Sequence, residues 1–242
     1  MAAKPTPRHL STVTPPPADL TKSDLHTLEV GPGTKHETVS RAHRLTRGDE
    51  LCDARYHSSS SPLHKDDGEA HKDDGEDTGG RFDLAKPFGT CNTASNEATA
   101  LREHMGNRIT KGDPIPAKDL WAIMVTTLSL KKKLVLADVS KPGRGFIPGD
   151  ISGPLPGDAG YRVTQLWAEA LKKLGFDGII ARSRHNNGYT IYIFGGAGVH
   201  TDLFEVVKTR PAIYVYEEMR LREKLPPIIN LPEDMDNSLV EM

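Results

Sequence analysis

Asp177-Gly178-Ile179-Ile180-Ala181-Arg182-Ser183-Arg184 is the stretch whose reading decides the fold. Its apolar centre, Phe176 to Ser183, reads as a buried strand with polar residues at its outgoing end. Immediately upstream, Val163, Trp167, Ala170, Leu171 and Leu174 recur at helical spacing, and Gly175 supplies a stop. Immediately downstream, Asn186-Asn187-Gly188 predicts a hairpin turn, because Asn-Gly tolerates positive φ, and Tyr189 to Phe194 returns as the partner strand. The unit is therefore helix, strand, turn, strand.

Further out, Gly89 to Ala94 reads as a strand. A helix follows it, with Ser95 as the expected N-cap and Glu97 in the positive first turn. Ala98, Leu101 and Met105 lie on one face, and Gly106 is the stop. Glu103 falls off that apolar stripe, where it can look toward a cleft. Leu134 to Val139 is a strand, and another is expected from Ala212 to Tyr216. Leu28, Val30 and Val39 suggest two short strands joined by a turn at Gly31-Pro32-Gly33. Short hairpin-paired strands with interspersed helices, and no regular βαβ alternation, predict a compact α+β domain: an antiparallel-sheet core with flanking helices.

The 242 residues suffice for one sizeable domain, and 36% hydrophobic content implies that part of the chain is tail and loop. A formal net charge of −2 gives no basic field, so neither bulk nor direct nucleic-acid binding is expected. Cys52 and Cys91 are too few and too far apart for a zinc signature or a disulfide framework. His43, His104 and His185 have no metal spacing either, so no metal is expected. The proline-rich N-terminus lacks the apolar core of a signal peptide, and no run reaches the ~18 apolar residues of a membrane span. A reducing cytoplasm fits this pattern, with no membrane association.

Residues 1–24, with Pro15-Pro16-Pro17, read as a disordered leader. Residues 25–224 form the domain, and 225–242 read as a peripheral tail. Within the domain, residues 57–80 read as a low-complexity insertion carrying the tandem repeat His64-Lys65-Asp66-Asp67-Gly68-Glu69 and His71-Lys72-Asp73-Asp74-Gly75-Glu76. The glycine comes one place early for an EF-hand, so the repeat reads as solvated chain.

An arginine, a glutamate and a serine occur in order, each in an ordered context. The segments are Val39-Ser40-Arg41-Ala42-His43-Arg44, Gly80-Arg81-Phe82-Asp83, and Gly89-Thr90 followed by Ala98 to Glu103. Trp167, Gly175 to Ile180 and Ser183-Arg184 complete the set. Together they resemble the RES domain family, over roughly residues 37–204. The resemblance implies a fold similar to the NAD-binding core of ADP-ribosyltransferase toxins. It also implies a toxin of a bacterial toxin–antitoxin pair that cleaves the nicotinamide–ribose bond of NAD, its substrate, by hydrolysis or by phosphorolysis with phosphate as co-substrate. The partner it implies is an antitoxin with a helix-turn-helix, Xre-like domain.

The residue types suit that chemistry. Arginine's planar fork grips phosphate oxygens, which suits Arg41 and Arg81 to the pyrophosphate. A carboxylate beside the ribose stabilises developing positive charge, which suits Glu103. Ser183 suits hydrogen bonding to the ribose or carboxamide better than covalent attack, since no Ser-His-acid arrangement is visible. One departure from the family pattern is Asn92, where a tyrosine is common. Asparagine keeps hydrogen bonding to a ligand but loses the π surface. Two other functions remain open on sequence grounds: an ADP-ribosyltransferase and a catalytically degenerate NAD-binding module. A shared site requires Glu103 and Ser183 to approach within about 10 Å, hydrogen-bond reach to one sugar.

Overall fold

The structure, a computed structural model, describes residues 13–47, 50–60, 80–148, 151 and 161–230. The duplicated acidic repeat lies outside the described residues. Eight strands form one sheet: β1 His26–Val30, β2 Thr38–Arg44, β3 Phe88–Ala94, β4 Ile123–Leu130, β5 Leu134–Asp138, β6 Gly178–Arg182, β7 Tyr189–Gly196 and β8 Phe204–Pro211. Their order across the sheet is β1-β5-β6-β7-β3-β2-β4-β8. Neighbours are antiparallel except β5 and β6. The parallel pair is joined by a long connection that carries the helix α4, Arg162–Lys173. Further α-helices among the described residues are α1 Glu97–Met105, α2 Asn107–Lys111, α3 Ala117–Trp121 and α5 Ala212–Arg220. This is the α+β architecture that the hairpin pattern predicts.

Strand alternation divides the core. Ile179 and Ala181 of β6, with Tyr192 and Phe194 of β7, pack under α4 against Trp167 and Leu171. Ile180, Ile191 and Ile193 face the other way, with Leu128 and Leu136. A third cluster joins Leu101 and Met105 of α1 to Leu120, Val215 and Tyr216. Gly178 is required where β6 meets β7, because a Cβ there would stand 2.1 Å from the backbone oxygen of Tyr192.

Residues Ala212 to Tyr216 are helical, not a strand. Their β-branched and aromatic content favours extended chain, but Ala212, Val215, Tyr216 and Met219 recur at helical spacing and are all buried. Burial of that face outweighs the local propensity. The strand at this end is β8, which ends at Pro211. The N-cap of α1 is Asn96 rather than Ser95: Asn96 Oδ1 accepts from Thr99 N at 2.8 Å, while Ser95 Oγ accepts from Tyr189 N at 3.2 Å and ties the helix to β7.

The leader expected over residues 1–24 packs on the domain in its described part. Val13 is buried, Leu20 lies against the α4 cluster, and Trp167 Nε1 donates to Thr14 O at 2.6 Å. A buried indole N–H needs an acceptor, and the proline-rich segment offers carbonyls that no helix or sheet uses. The tail is anchored up to residue 230 as well. Tyr216 OH donates to Pro226 O at 2.9 Å, and Ile228–Ile229 pairs in parallel with Ile115–Pro116.

Candidate active site

Register brings small side chains into line across the sheet. Ser40 pairs with Ala94, Ala94 with Thr190, and Thr190 with Ala181. These four sit on neighbouring strands β2, β3, β7 and β6, so the row spans three strand spacings, about 14 Å. All four line a cavity of about 1170 Å³. That is at or above the upper end of ordinary ligand clefts, about 300–1,000 Å³. The next row along the strands, Asn92, Tyr192 and Ile179, carries larger residues, and Tyr192 and Asn92 also line the cavity.

Glu103 reaches this cavity from α1. Thr99, one helical turn earlier on the same face, contacts the β6–β7 turn: Asn186 Nδ2 donates to Thr99 Oγ1 at 3.0 Å. That contact fixes the helix against the hairpin. Ser183 N donates to Gly188 O at 2.9 Å, closing the turn, and Ser183 Oγ donates to Glu103 Oε1 at 2.5 Å. Arg184 N also donates to Glu103 Oε1, at 3.3 Å, and Ser183 Oγ accepts from His185 N at 3.2 Å. The hairpin therefore holds the Glu103 carboxylate in place, as a carboxylate accepting directed donors is held.

Arg81 comes from a tight turn. Gly80 N donates to Asp83 Oδ2 at 2.7 Å, and Asp83 N donates to Gly80 O at 3.2 Å. Between them, Phe82 adopts a left-handed φ of 64° and is fully buried. For a bulky residue that conformation costs on the order of 1–3 kcal/mol, and it persists only where the surroundings enforce it. Here Thr90 Oγ1 donates to Phe82 O at 2.9 Å, and Gln165 Nε2 donates to Gly80 O at 3.2 Å. The strained turn points Arg81 into the cavity, with its guanidinium 5.9 Å from the Tyr161 ring centroid. Burial pushes the Arg81 pKa down, and burial likewise pushes the Asp83 carboxyl up.

Arg41, Arg81, Asn92 and Glu103 all line the cavity. Ser183 does not; it stands behind Glu103 as its hydrogen-bond donor. Arg41 Nη1 donates to Ala54 O at 3.0 Å and to Tyr56 O, tethering the segment that precedes the insertion. Asn92 Nδ2 donates to Asp83 Oδ1 at 3.4 Å, so this residue braces the Arg81 turn. Sequence reasoning missed Tyr192, His43 and His104, which also line the cavity. Burial is the main cause lowering the pKa of both histidines, which favours their neutral forms. The alternation of β7 was the available signal for Tyr192, since Thr190 and Tyr192 share a face. Among the described residues, no group of His, Cys, Asp and Glu is placed to hold a metal ion. No described helix is long and apolar enough to cross a membrane.

Comparison with known families matches residues 54–214 to the RES domain, over most of the chain. The chain belongs to the RES domain family. The matched span of this RES domain starts after Arg41 and contains Arg81, Asn92, Glu103 and Ser183. No curated protein matches it. Among solved structures, a chain of the M. tuberculosis MbcT–MbcA toxin–antitoxin complex aligns with a TM-score of 0.50 and 16% identity. The alignment covers 76% of this chain and 89% of that one, and it shows a shared fold.

Proposed function

We propose that this RES domain cleaves the nicotinamide–ribose bond of NAD and acts as the toxin of a toxin–antitoxin pair. The observation that carries the reading is Glu103: a carboxylate fixed by Ser183 at 2.5 Å, lining a large cavity that also exposes Arg81 and Arg41. Nicotinamide departs with the electrons of the C–N bond, leaving positive charge on the ribose. The Glu103 carboxylate faces that charge and, already oriented, needs no reorganisation as the bond breaks. Arg81, and Arg41 with the donors its tethering leaves, hold the pyrophosphate. Water or phosphate then attacks the anomeric carbon, giving ADP-ribose or its 1″-phosphate.

Ser183 acts in this reading as a positioning residue for Glu103, and Asn92 as a brace for the Arg81 turn. The solved structure that shares the fold comes from a toxin–antitoxin complex. That supports an antitoxin partner here as well, with a helix-turn-helix Xre-like protein as the proposed type. Chromatography of NAD incubated with purified protein, with and without phosphate, tests the proposal. Nicotinamide with ADP-ribose alone identifies hydrolysis, and a phosphate-dependent 1″-phosphate identifies phosphorolysis. Intact NAD after prolonged incubation with folded protein refutes the proposal.

A further inference from the structure

The small-residue row Ser40, Ala94, Thr190 and Ala181 leaves a trough on the sheet, and the next row closes it. In that closing row Ile179 and Tyr192 both pack in the α4 core but only Tyr192 of the two also lines the cavity, and the Asn92 amide is engaged with Asp83. Tyr192 is the aromatic side chain of the row. It is 8% exposed, yet it lines the cavity. Its ring is fixed edge-on to Phe82, with centroids 4.7 Å apart and planes at 61°. Phe82 is itself locked by the strained turn that carries Arg81, so the tyrosine has little freedom to move away.

From this placement we propose that Tyr192 is a substrate-contacting residue of the site, giving a ring wall and a neutral hydroxyl donor to the ribosyl end of the dinucleotide. The inference rests on the NAD reading of the cavity. Tyr192 shares the cavity with Glu103 and Arg81, and its hydroxyl interacts electrostatically with both. Burial, followed by the Glu103 charge, pushes its pKa up to about 12. The phenol therefore stays protonated at working pH and can donate to a sugar hydroxyl without competing with Glu103 for a proton. The antiparallel neighbour β6 holds the Tyr192 backbone from the side, since Gly178 lets the two strands approach closely.

The test compares wild type with Tyr192→Phe, which keeps the ring and removes only the hydroxyl. Affinity is read by calorimetry with carba-NAD, whose carbocyclic ribose resists cleavage, and KM and kcat are read with NAD. The expected result is a Kd for carba-NAD, and a KM for NAD, raised about three- to tenfold, as loss of one neutral hydrogen bond implies. Both proteins should melt at the same temperature without ligand, whereas wild type should gain more thermal stability with carba-NAD. Equal Kd values for wild type and Tyr192→Phe overturn the proposal, whatever happens to kcat. Wild type that binds carba-NAD but releases no nicotinamide from NAD instead refutes the cleavage reading while leaving the contact measurable. Wild type that fails to bind carba-NAD overturns both.

Discussion

Replacing Ser183 with alanine should slow NAD cleavage without weakening NAD binding. Ser183 Oγ lies 2.5 Å from Glu103 Oε1 and is the shorter of two contacts that hold that oxygen; the other is the 3.3 Å bond from Arg184 N. A hydrogen bond to a charged group contributes roughly 1.5–3 kcal/mol. At about 1.36 kcal/mol per factor of ten, kcat should fall about 10- to 150-fold. Glu103→Gln removes the charge itself and should cost more, about 10²- to 10³-fold. Because Ser183 acts through Glu103, the double variant should be no slower than Glu103→Gln alone. The assay is steady-state nicotinamide release by wild type, both single variants and the double variant, with circular dichroism to verify folding. KM should stay within about twofold of wild type in Ser183→Ala, a range that corresponds to only a few tenths of a kcal/mol. Independent, multiplying losses in the double variant would refute the assignment of Ser183 as the residue that orients Glu103. A rise in KM with unchanged kcat would instead place the serine on the substrate.

Asp83→Ala removes the acceptor for Gly80 N and Asn92 Nδ2, so the turn that aims Arg81 should loosen; a KM for NAD raised severalfold in a still-folded protein is expected, and an unchanged KM would count against the turn's role. His57 is fully buried, and burial first, then the His200 charge, lowers its pKa from 6.5 to about 4. The unfolded chain then takes up this proton more readily than the folded one, so the contribution is intact above pH 6.5 and is lost as the pH falls through about 4. It amounts to about 3 kcal/mol at most, and urea titrations of wild type and His57→Gln at pH 7.5 and 4.5 should show a weaker acid destabilisation in the variant. Deleting residues 1–20 strips Val13 and the Thr14 carbonyl from Trp167 and should lower Tm by more than about 5 °C, as a loss of ~2–3 kcal/mol implies; an unchanged Tm would show that the segment does not contribute to the fold.

The helix–strand–hairpin unit from Arg162 to Gly196 was legible because each part carries its own local signal: an apolar stripe, a glycine stop and an Asn-Gly turn. The strand expected from Ala212 to Tyr216 is a helix because, although Ala-Ile-Tyr-Val-Tyr favours a strand, the tertiary cluster with Leu101 and Leu120 selects the helix. The packing of residues 13–24 was equally out of reach, since it depends on a buried indole more than 150 positions away. At the site, resemblance nominated Glu103, Arg81 and Ser183, but only folding shows that serine and glutamate bond to each other. The trough was invisible for a different reason. Ser40, Ala94, Ala181 and Thr190 are unremarkable individually and come together to line the cavity only through sheet register.

Release of label from NAD carrying radioactivity in its nicotinamide ring tests the central claim most directly. Stoichiometric purified protein should convert the labelled dinucleotide to free nicotinamide, and Glu103→Gln at the same concentration should release it at least about a hundredfold more slowly. Label that stays on the dinucleotide with wild type, or that leaves equally fast with Glu103→Gln, would contradict a Glu103-centred NAD-cleaving site.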